Sequence, residues 1–283
     1  MTGTAGGGRR CAVLGSPIGH SLSPVLHHAA YAELGLAWTY EAREVTERSL
    51  PGFLAGLDST WRGLSLTMPL KRAVVPLLDA MTDRAAQAGA ANTVILEGGR
   101  RTGHNTDVPG AASAVRERYA GPVDRAVVVG GGATAASVLL GLADLGCRHV
   151  TLVLRDHVRA AATLASAERH PGRPTVDVRP LGSTLADVLE AADILVSTVP
   201  GDVQGAEVLA LAQRVDVVFD VAYDPWPTPV ARATRSTGAL LVSGLDLLVH
   251  QAALQVELMT GTAPAPLEAM RLAGERALAV RAT

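Results

Sequence analysis

A strand that turns over glycines straight into a helix has few folds open to it. Residues 127–136, Val-Val-Val-Gly-Gly-Gly-Ala-Thr-Ala-Ala, are such a stretch. The valines predict a strand and the glycines a tight turn. The small residues that follow, through Ser137-Val138-Leu139-Leu140 to Gly146, predict a helix. This geometry binds anions, because glycines let the backbone approach and the helix start offers N–H groups and positive dipole. Ala135 stands where the last glycine of G-x-G-x-x-G serves close helix–strand packing. A further strand, His149–Leu154, arrives at the distance expected of a βαβ unit. Alone, the motif is weak, since glycines also serve ordinary structural turns; the following strand strengthens the nucleotide reading.

The end of that second strand bears on cofactor choice. An acidic residue there would bind a ribose 2′-OH. The sequence instead reads Leu154-Arg155-Asp156, with Arg159 one turn on. Two guanidinium groups suit a 2′-phosphate through forked, charge-assisted hydrogen bonds, so the pattern favours NADP(H) over NAD(H). Asp156 leaves a bare 2′-OH as the alternative, and a solvated face is the plain reading of both arginines.

Apolar residues make up 48% of the 283-residue chain and charged residues 18%, which predicts a sizeable core spread over two domains. A net charge of −2 and 3% aromatic residues exclude the basic surface and stacking platforms of a nucleic-acid binder. Two distant cysteines, Cys11 and Cys147, predict neither a disulfide framework nor a metal site and fit a cytoplasmic protein. The Gly-rich N-terminus lacks an apolar signal core, and no apolar run reaches the length of a membrane span.

Short apolar runs at Cys11–Leu14, Ala126–Val129, Val150–Leu154, Ile194–Ser197 and Val217–Val221 alternate with Ala- and Leu-rich helical stretches. That is an α/β pattern with mainly parallel sheet. A helix entry at Asn105–Gly110 and a helix end at Gly121-Pro122 mark a domain break, and Ser243-Gly244 marks a second. The expected division is a first domain of residues 1–108, rejoined by C-terminal helices 244–283, and a nucleotide domain of residues 109–243.

Outside the nucleotide unit, several segments end in polar groups. Ser21 and Ser23 sit two apart, so in an extended loop they face one side, where two hydroxyls can hold a carboxylate or polyol. Ser23 before Pro24 also reads as a plain helix cap. Residues 65–71, Ser-Leu-Thr-Met-Pro-Leu-Lys, end a strand near Pro69 with Thr67 before it and Lys71 after; an exposed lysine is the ordinary reading. Asn92 enters a strand-like run, Asp107 opens the interdomain helix, and Gln251 sits inside an apolar helix where its amide needs a partner.

In these segments the chain closely resembles the shikimate dehydrogenase family. GSPIGHSLSP, LTMPLK, GAANT, GHNTD, VVGGGATAAS, DVAYDPWPTP and GLDLLVHQAA occur in the family's order across nearly all of the chain after residue 10. The resemblance implies two α/β domains, the second Rossmann-type, with the active site in the cleft between them. It implies NADPH-dependent, reversible reduction of 3-dehydroshikimate to shikimate in aromatic amino-acid biosynthesis, by a monomer or homodimer. It assigns Lys71 and Asp107 as the catalytic pair. Ser21, Ser23, Thr67 and Tyr223 fall to the carboxylate side, and Asn92 and Gln251 to the ring hydroxyls. Gly130, Gly131, Gly132, Ala133, Thr134 and Ala135 form the pyrophosphate loop, with Arg155 and Arg159 on the 2′-phosphate and Thr198 and Gly244 as further cofactor contacts.

Three departures stand out. Ser65 replaces a usual Asn, Val108 a usual Gly, and Leu154 and Asp156 flank Arg155 where Asn-Arg-Thr is usual. Ketone reduction needs a hydride at carbon and a proton at oxygen. Lys71 is the expected acid/base with Asp107 as its partner, the reversed emphasis remaining open. The rival readings are a quinate/shikimate dehydrogenase using NAD and a non-catalytic nucleotide sensor.

Overall fold

The computed structural model describes residues 8–156, 158, 160–183 and 185–281. It divides into two compact units. The first comprises residues up to Ala85, Ala90–Thr106 and Ala252–Ala277; the second comprises Ala86–Gly89, Asp107–Gln251 and the residues from Leu278 onward.

The first unit is built on β1 (Arg10–Gly15), β2 (Thr39–Glu44), β3 (Trp61–Leu66), β4 (Ala80–Met81), β5 (Thr93–Glu97) and β6 (Arg100–His104). They form one six-stranded sheet in the order β2-β1-β3-β5-β6-β4. The sheet is mixed: β1 runs parallel to β2 and β3, whereas β5 is antiparallel to both β3 and β6. Period-two alternation sorts its side chains. Ala12, Leu14, Leu64, Leu66 and Val94 share one core layer with α2 (Leu50–Ala55) and α3 (Leu70–Ala73), and α4 (Asp83–Ala88) follows β4. Cys11, Val13 and Ile95 share the other with Tyr31 of α1 (Ser23–Glu33) and with Met259. A Cβ on Gly63 would lie 2.7 Å from the Met259 side chain, so this glycine lets the helix carrying Met259 sit close over β3.

The second unit is entirely parallel. Its strands are β7 (Arg125–Val129), β8 (His149–Leu154), β9 (Thr175–Pro180), β10 (Ile194–Ser197), β11 (Val217–Asp220) and β12 (Leu240–Val242). They run in the order β12-β11-β10-β7-β8-β9, the doubly wound Rossmann arrangement with its reversal between β7 and β10. Ala126 and Val128 pack toward α5 (Asp107–Arg118), α6 (Ala133–Asp144) and α7 (Ala160–Arg169). Val127 and Val129 pack toward α8 (Ala186–Glu190), α9 (Ala206–Ala212) and α10 (Pro229–Thr237). Both faces are covered, which is why these strands read as unbroken apolar runs.

Two helices close the chain, α11 (Gly244–Thr260) and α12 (Leu267–Arg281). Ser243 and Asp246 cap α11 reciprocally: the Asp246 carboxylate accepts from the Ser243 N–H at 2.9 Å, and the Asp246 N–H donates to Ser243 Oγ at 3.2 Å. Among the described residues no helix is long and apolar enough to cross a membrane.

Candidate active site

Strand direction gathers the first unit's polar residues. Parallel β1 and β3 both end at one edge of the sheet, and antiparallel β5 begins there. Ser21 lies in the loop after β1 and Ser23 opens α1, Thr67 and Lys71 follow β3, and Asn92 immediately precedes β5. Backbone hydrogen bonds stitch these segments together. Thr67 N–H donates to Leu14 C=O at 2.9 Å, Ser16 N–H to Met68 C=O at 3.0 Å, and Ala91 N–H to Lys71 C=O at 2.8 Å. The strand stops at Leu66 as Pro69 predicts, and Lys71 lies in the single turn of α3, half-buried.

Ser23 does not cap α1. Leu22 occupies the cap position, and no side chain caps the helix. Ser21 Oγ instead accepts from the Ser23 N–H at 3.3 Å.

Asn92 is held on both sides of its amide. Its Oδ1 accepts from the Thr106 N–H at 2.8 Å and the Thr93 hydroxyl at 2.9 Å, and its Nδ2 donates to Thr106 Oγ1 at 2.8 Å. Behind it lies a buried chain that the sequence reading missed. Tyr40 donates to Ser65 Oγ at 2.6 Å, Ser65 donates to Gln255 Oε1 at 2.8 Å, and Gln255 Nε2 donates to Thr93 Oγ1 at 2.9 Å. His27 Nε2 meets the same Gln255 oxygen at 3.3 Å and stacks on Tyr40 at 3.8 Å between ring centroids. Burial pushes the His27 pKa down to about 3, so the ring is neutral. The signal for Gln255 was available, since it is a second polar amide in the apolar helix that drew attention to Gln251.

In the second unit, Asp107 is the buried first residue of α5, where the helix dipole favours a carboxylate. Gln251 donates to Leu248 C=O at 2.9 Å. Tyr223 follows β11 by three residues, next to a buried cluster around Asp220. Gln204 Nε2 donates to that carboxylate at 3.0 Å, and the Thr228 hydroxyl donates as well. Burial outweighs these donors and pushes the Asp220 carboxyl up to about 6.

The glycine turn follows β7 at the reversal of strand order, where doubly wound sheets bind ligands. Gly130 holds φ at +112°, and an added Cβ there would collide with Thr198 Oγ1. Thr198 itself donates to Val129 C=O at 2.8 Å, so it braces the turn. Gly132 is the cap residue of α6, offers no side-chain cap, and has open space where a Cβ would stand. Ala133, Thr134 and Ala135 form the first turn of α6. Its uncapped N–H groups and positive dipole end fit a pyrophosphate. Gly244 opens α11 against the carbonyls of Val221 and Ala222.

A cleft of ≈ 220 Å³ runs from Gly130 and Gly131 past Leu154, Arg155 and Asp156. Arg155 is exposed at its mouth. Asp156 Oδ1 accepts from the Val158 N–H at 3.0 Å, which turns its carboxylate to capping the bend. Arg159 lies outside the described residues. A larger cavity of ≈ 460 Å³ opens among Trp61, Arg62 and Arg101, where β3 begins rather than where it ends. Two of its arginines already serve the fold: Arg62 binds Met259 C=O and Glu97, and Arg101 binds Leu77 and Leu54 C=O. Among the described residues no group of His, Cys, Asp or Glu is placed to hold a metal ion.

Residues 13–94 match the shikimate dehydrogenase substrate binding domain, and residues 244–272 the shikimate 5′-dehydrogenase C-terminal domain. A shikimate dehydrogenase (NADP(+)) of Moorella thermoacetica is 35% identical over 88% of this chain and 87% of its own. The crystal structure of the Mycobacterium tuberculosis shikimate dehydrogenase is 41% identical, with a TM-score of 0.87 over 95% of this chain and 99% of that one. A quinate dehydrogenase from Corynebacterium glutamicum, in complex with NAD, is 28% identical with a TM-score of 0.82 over 95% and 99% of the two chains.

Proposed function

Because the chain belongs to the shikimate dehydrogenase family, we propose that it reduces 3-dehydroshikimate to shikimate, reversibly and with NADP(H), in aromatic amino-acid biosynthesis. The observation that carries this reading is the single sheet edge that gathers Ser21, Ser23, Thr67, Lys71 and Asn92 in the first unit. Two hydroxyls at 21 and 23, with Thr67 and Tyr223, suit the ring carboxylate. Asn92 and Gln251 suit ring hydroxyls. None of these groups except Lys71 and Asp107 brings a formal charge, so the others orient the ring by hydrogen bonds.

When bound, NADPH supplies a hydride to the ketone carbon. The chain's own task is the oxygen. Lys71 as an ammonium stabilises the developing alkoxide and gives up a proton from Nζ; Asp107 is the carboxylate assigned to favour the charged amine. Gly130–Ala135 hold the pyrophosphate, braced by Thr198, with Gly244 a further contact. Arg155, with Arg159, is the 2′-phosphate ligand, consistent with an Asp156 carboxylate turned to its own bend.

Steady-state kinetics with shikimate and quinate, each with NADP+ and NAD+, tests the reading. The expected order places shikimate with NADP+ first in kcat/KM; quinate with NAD+ in first place would overturn it. Lys71→Ala is expected to lower kcat by about 10²- to 10⁴-fold with a smaller change in KM. A near-normal kcat would remove Lys71 from the chemistry.

A further inference from the structure

Ser65, Tyr40, His27, Thr93 and Gln255 form a buried polar cluster behind Asn92, and hydrogen-bond polarity runs through it in one direction. Two backbone groups fix that direction. The Asn92 carbonyl can only accept, and it lies 3.3 Å from the Gln255 amide, so the Gln255 atom facing it is Nε2. The other end of the amide is then Oε1, an acceptor, and the Ser65 hydroxyl must donate to it. With its hydrogen so committed, Ser65 accepts from Tyr40. On the far side Gln255 Nε2 donates to Thr93 Oγ1, leaving the Thr93 hydrogen for Asn92 Oδ1. At the other terminus the Thr106 N–H can only donate, and it donates to that same Oδ1. Both lone pairs of Asn92 Oδ1 are engaged, so Nδ2, which also donates to Thr106 Oγ1, is the end of this amide that addresses a substrate oxygen.

Building on the functional reading above, we propose that Gln255 is a positioning residue for substrate recognition: through Thr93 it locks the Asn92 amide with nitrogen toward the ring oxygens. Gln255 is 1% exposed, so it acts without touching the substrate. The device also gives a role to Ser65, which is shorter than the usual Asn. It reaches Gln255, and the longer amide of α11 spans the remaining distance to Thr93. Ser65 can do so because period-two alternation points Leu64 and Leu66 into the α2–α3 layer and Ser65 the other way, beneath α11.

The test is a double-mutant cycle on kcat/KM with Gln255→Met and Thr93→Val, both of which keep volume and remove hydrogen bonding. Each single variant is expected to raise KM for shikimate about tenfold. kcat and NADPH affinity should change less than about threefold, and the double variant should be no worse than either single one. Additive losses, or KM within about twofold of wild type in Gln255→Met, would overturn the assignment while wild-type turnover leaves the functional reading standing. A readout independent of turnover is the side-chain amide NMR signal of Asn92, identified by its loss in Asn92→Asp. In both single variants its two protons are expected to shift and exchange faster with solvent. Unmoved signals would overturn the proposal even if the wild-type enzyme acted on some other substrate.

Discussion

His27 makes the first unit acid-labile in a calculable way. The ring is fully buried, and its neighbours in the structure are Gln255, Tyr31 and Tyr40, none of them anionic. Burial is the main cause of the fall in its pKa from 6.5 to about 3, with a smaller contribution from the charge of His28. Between those values the unfolded chain binds a proton that the folded chain refuses. Stability from this group is therefore complete above the unfolded pKa and is lost as pH falls toward the folded one. Between about pH 7 and about pH 5 the loss is about 2 kcal/mol, a large share of a typical domain's stability.

His27→Gln removes the titration but keeps a donor for Gln255 Oε1. The assay is urea unfolding of wild type and variant at about pH 7, 6 and 5, followed by tryptophan fluorescence. Two of the three tryptophans, Trp38 and Trp61, belong to the first unit. The variant loses stacking on Tyr40 at every pH, so its absolute stability is not the readout. The readout is the gap between the two proteins, which should move by about 2 kcal/mol in the variant's favour as pH falls from about 7 to about 5. Parallel pH curves would refute the argument, because they would mean that His27 titrates alike in both states.

Three further outcomes are expected. Arg155→Ala should weaken NADPH binding by about 10- to 100-fold and leave NADH nearly unchanged, since only the 2′-phosphate is lost as a partner; equal losses in equilibrium titrations would remove Arg155 from that role. Gly130→Ala should cut NADPH affinity by more than about tenfold, because φ is +112° and the new methyl collides with Thr198; wild-type affinity would show that the turn can be rebuilt. Asp220 is pushed up to about 6, so ionising it opposes folding and its cost grows as pH rises from the unfolded carboxylate range through 6. Carboxyl NMR should show one midpoint near 6 that vanishes in Asp220→Asn; an ordinary carboxylate midpoint would contradict the burial argument.

Most of the second unit was legible in the sequence. Val127–Gly132 and the following helix are a local pattern, and local conformation is what adjacent residues determine. Apolar runs without alternation announced strands covered on both faces, and the valines of β7 pack toward helices on both. Asp107 opens its helix where the sequence placed it, and α5 ends at Arg118, before Gly121-Pro122.

The first unit was less legible. Its sheet is mixed rather than parallel because β5 reverses, and strand direction is set by pairing between distant segments. Ser23 looked like a cap because Ser before Pro so often is one. The backbone puts Leu22 there instead, and that choice depends on how the loop after β1 is held. The polarity of the Asn92 amide could not be read at all. It depends on a carbonyl, three hydroxyls and a glutamine drawn from three strands and a helix, of which Tyr40 and Gln255 are more than two hundred residues apart. The sequence by itself determined which residues carry charge, hydroxyl or amide, and which stretches turn or coil. Only the tertiary structure decided which way each hydrogen bond points, because a buried amide takes its direction from the fixed backbone donors and acceptors that packing brings around it.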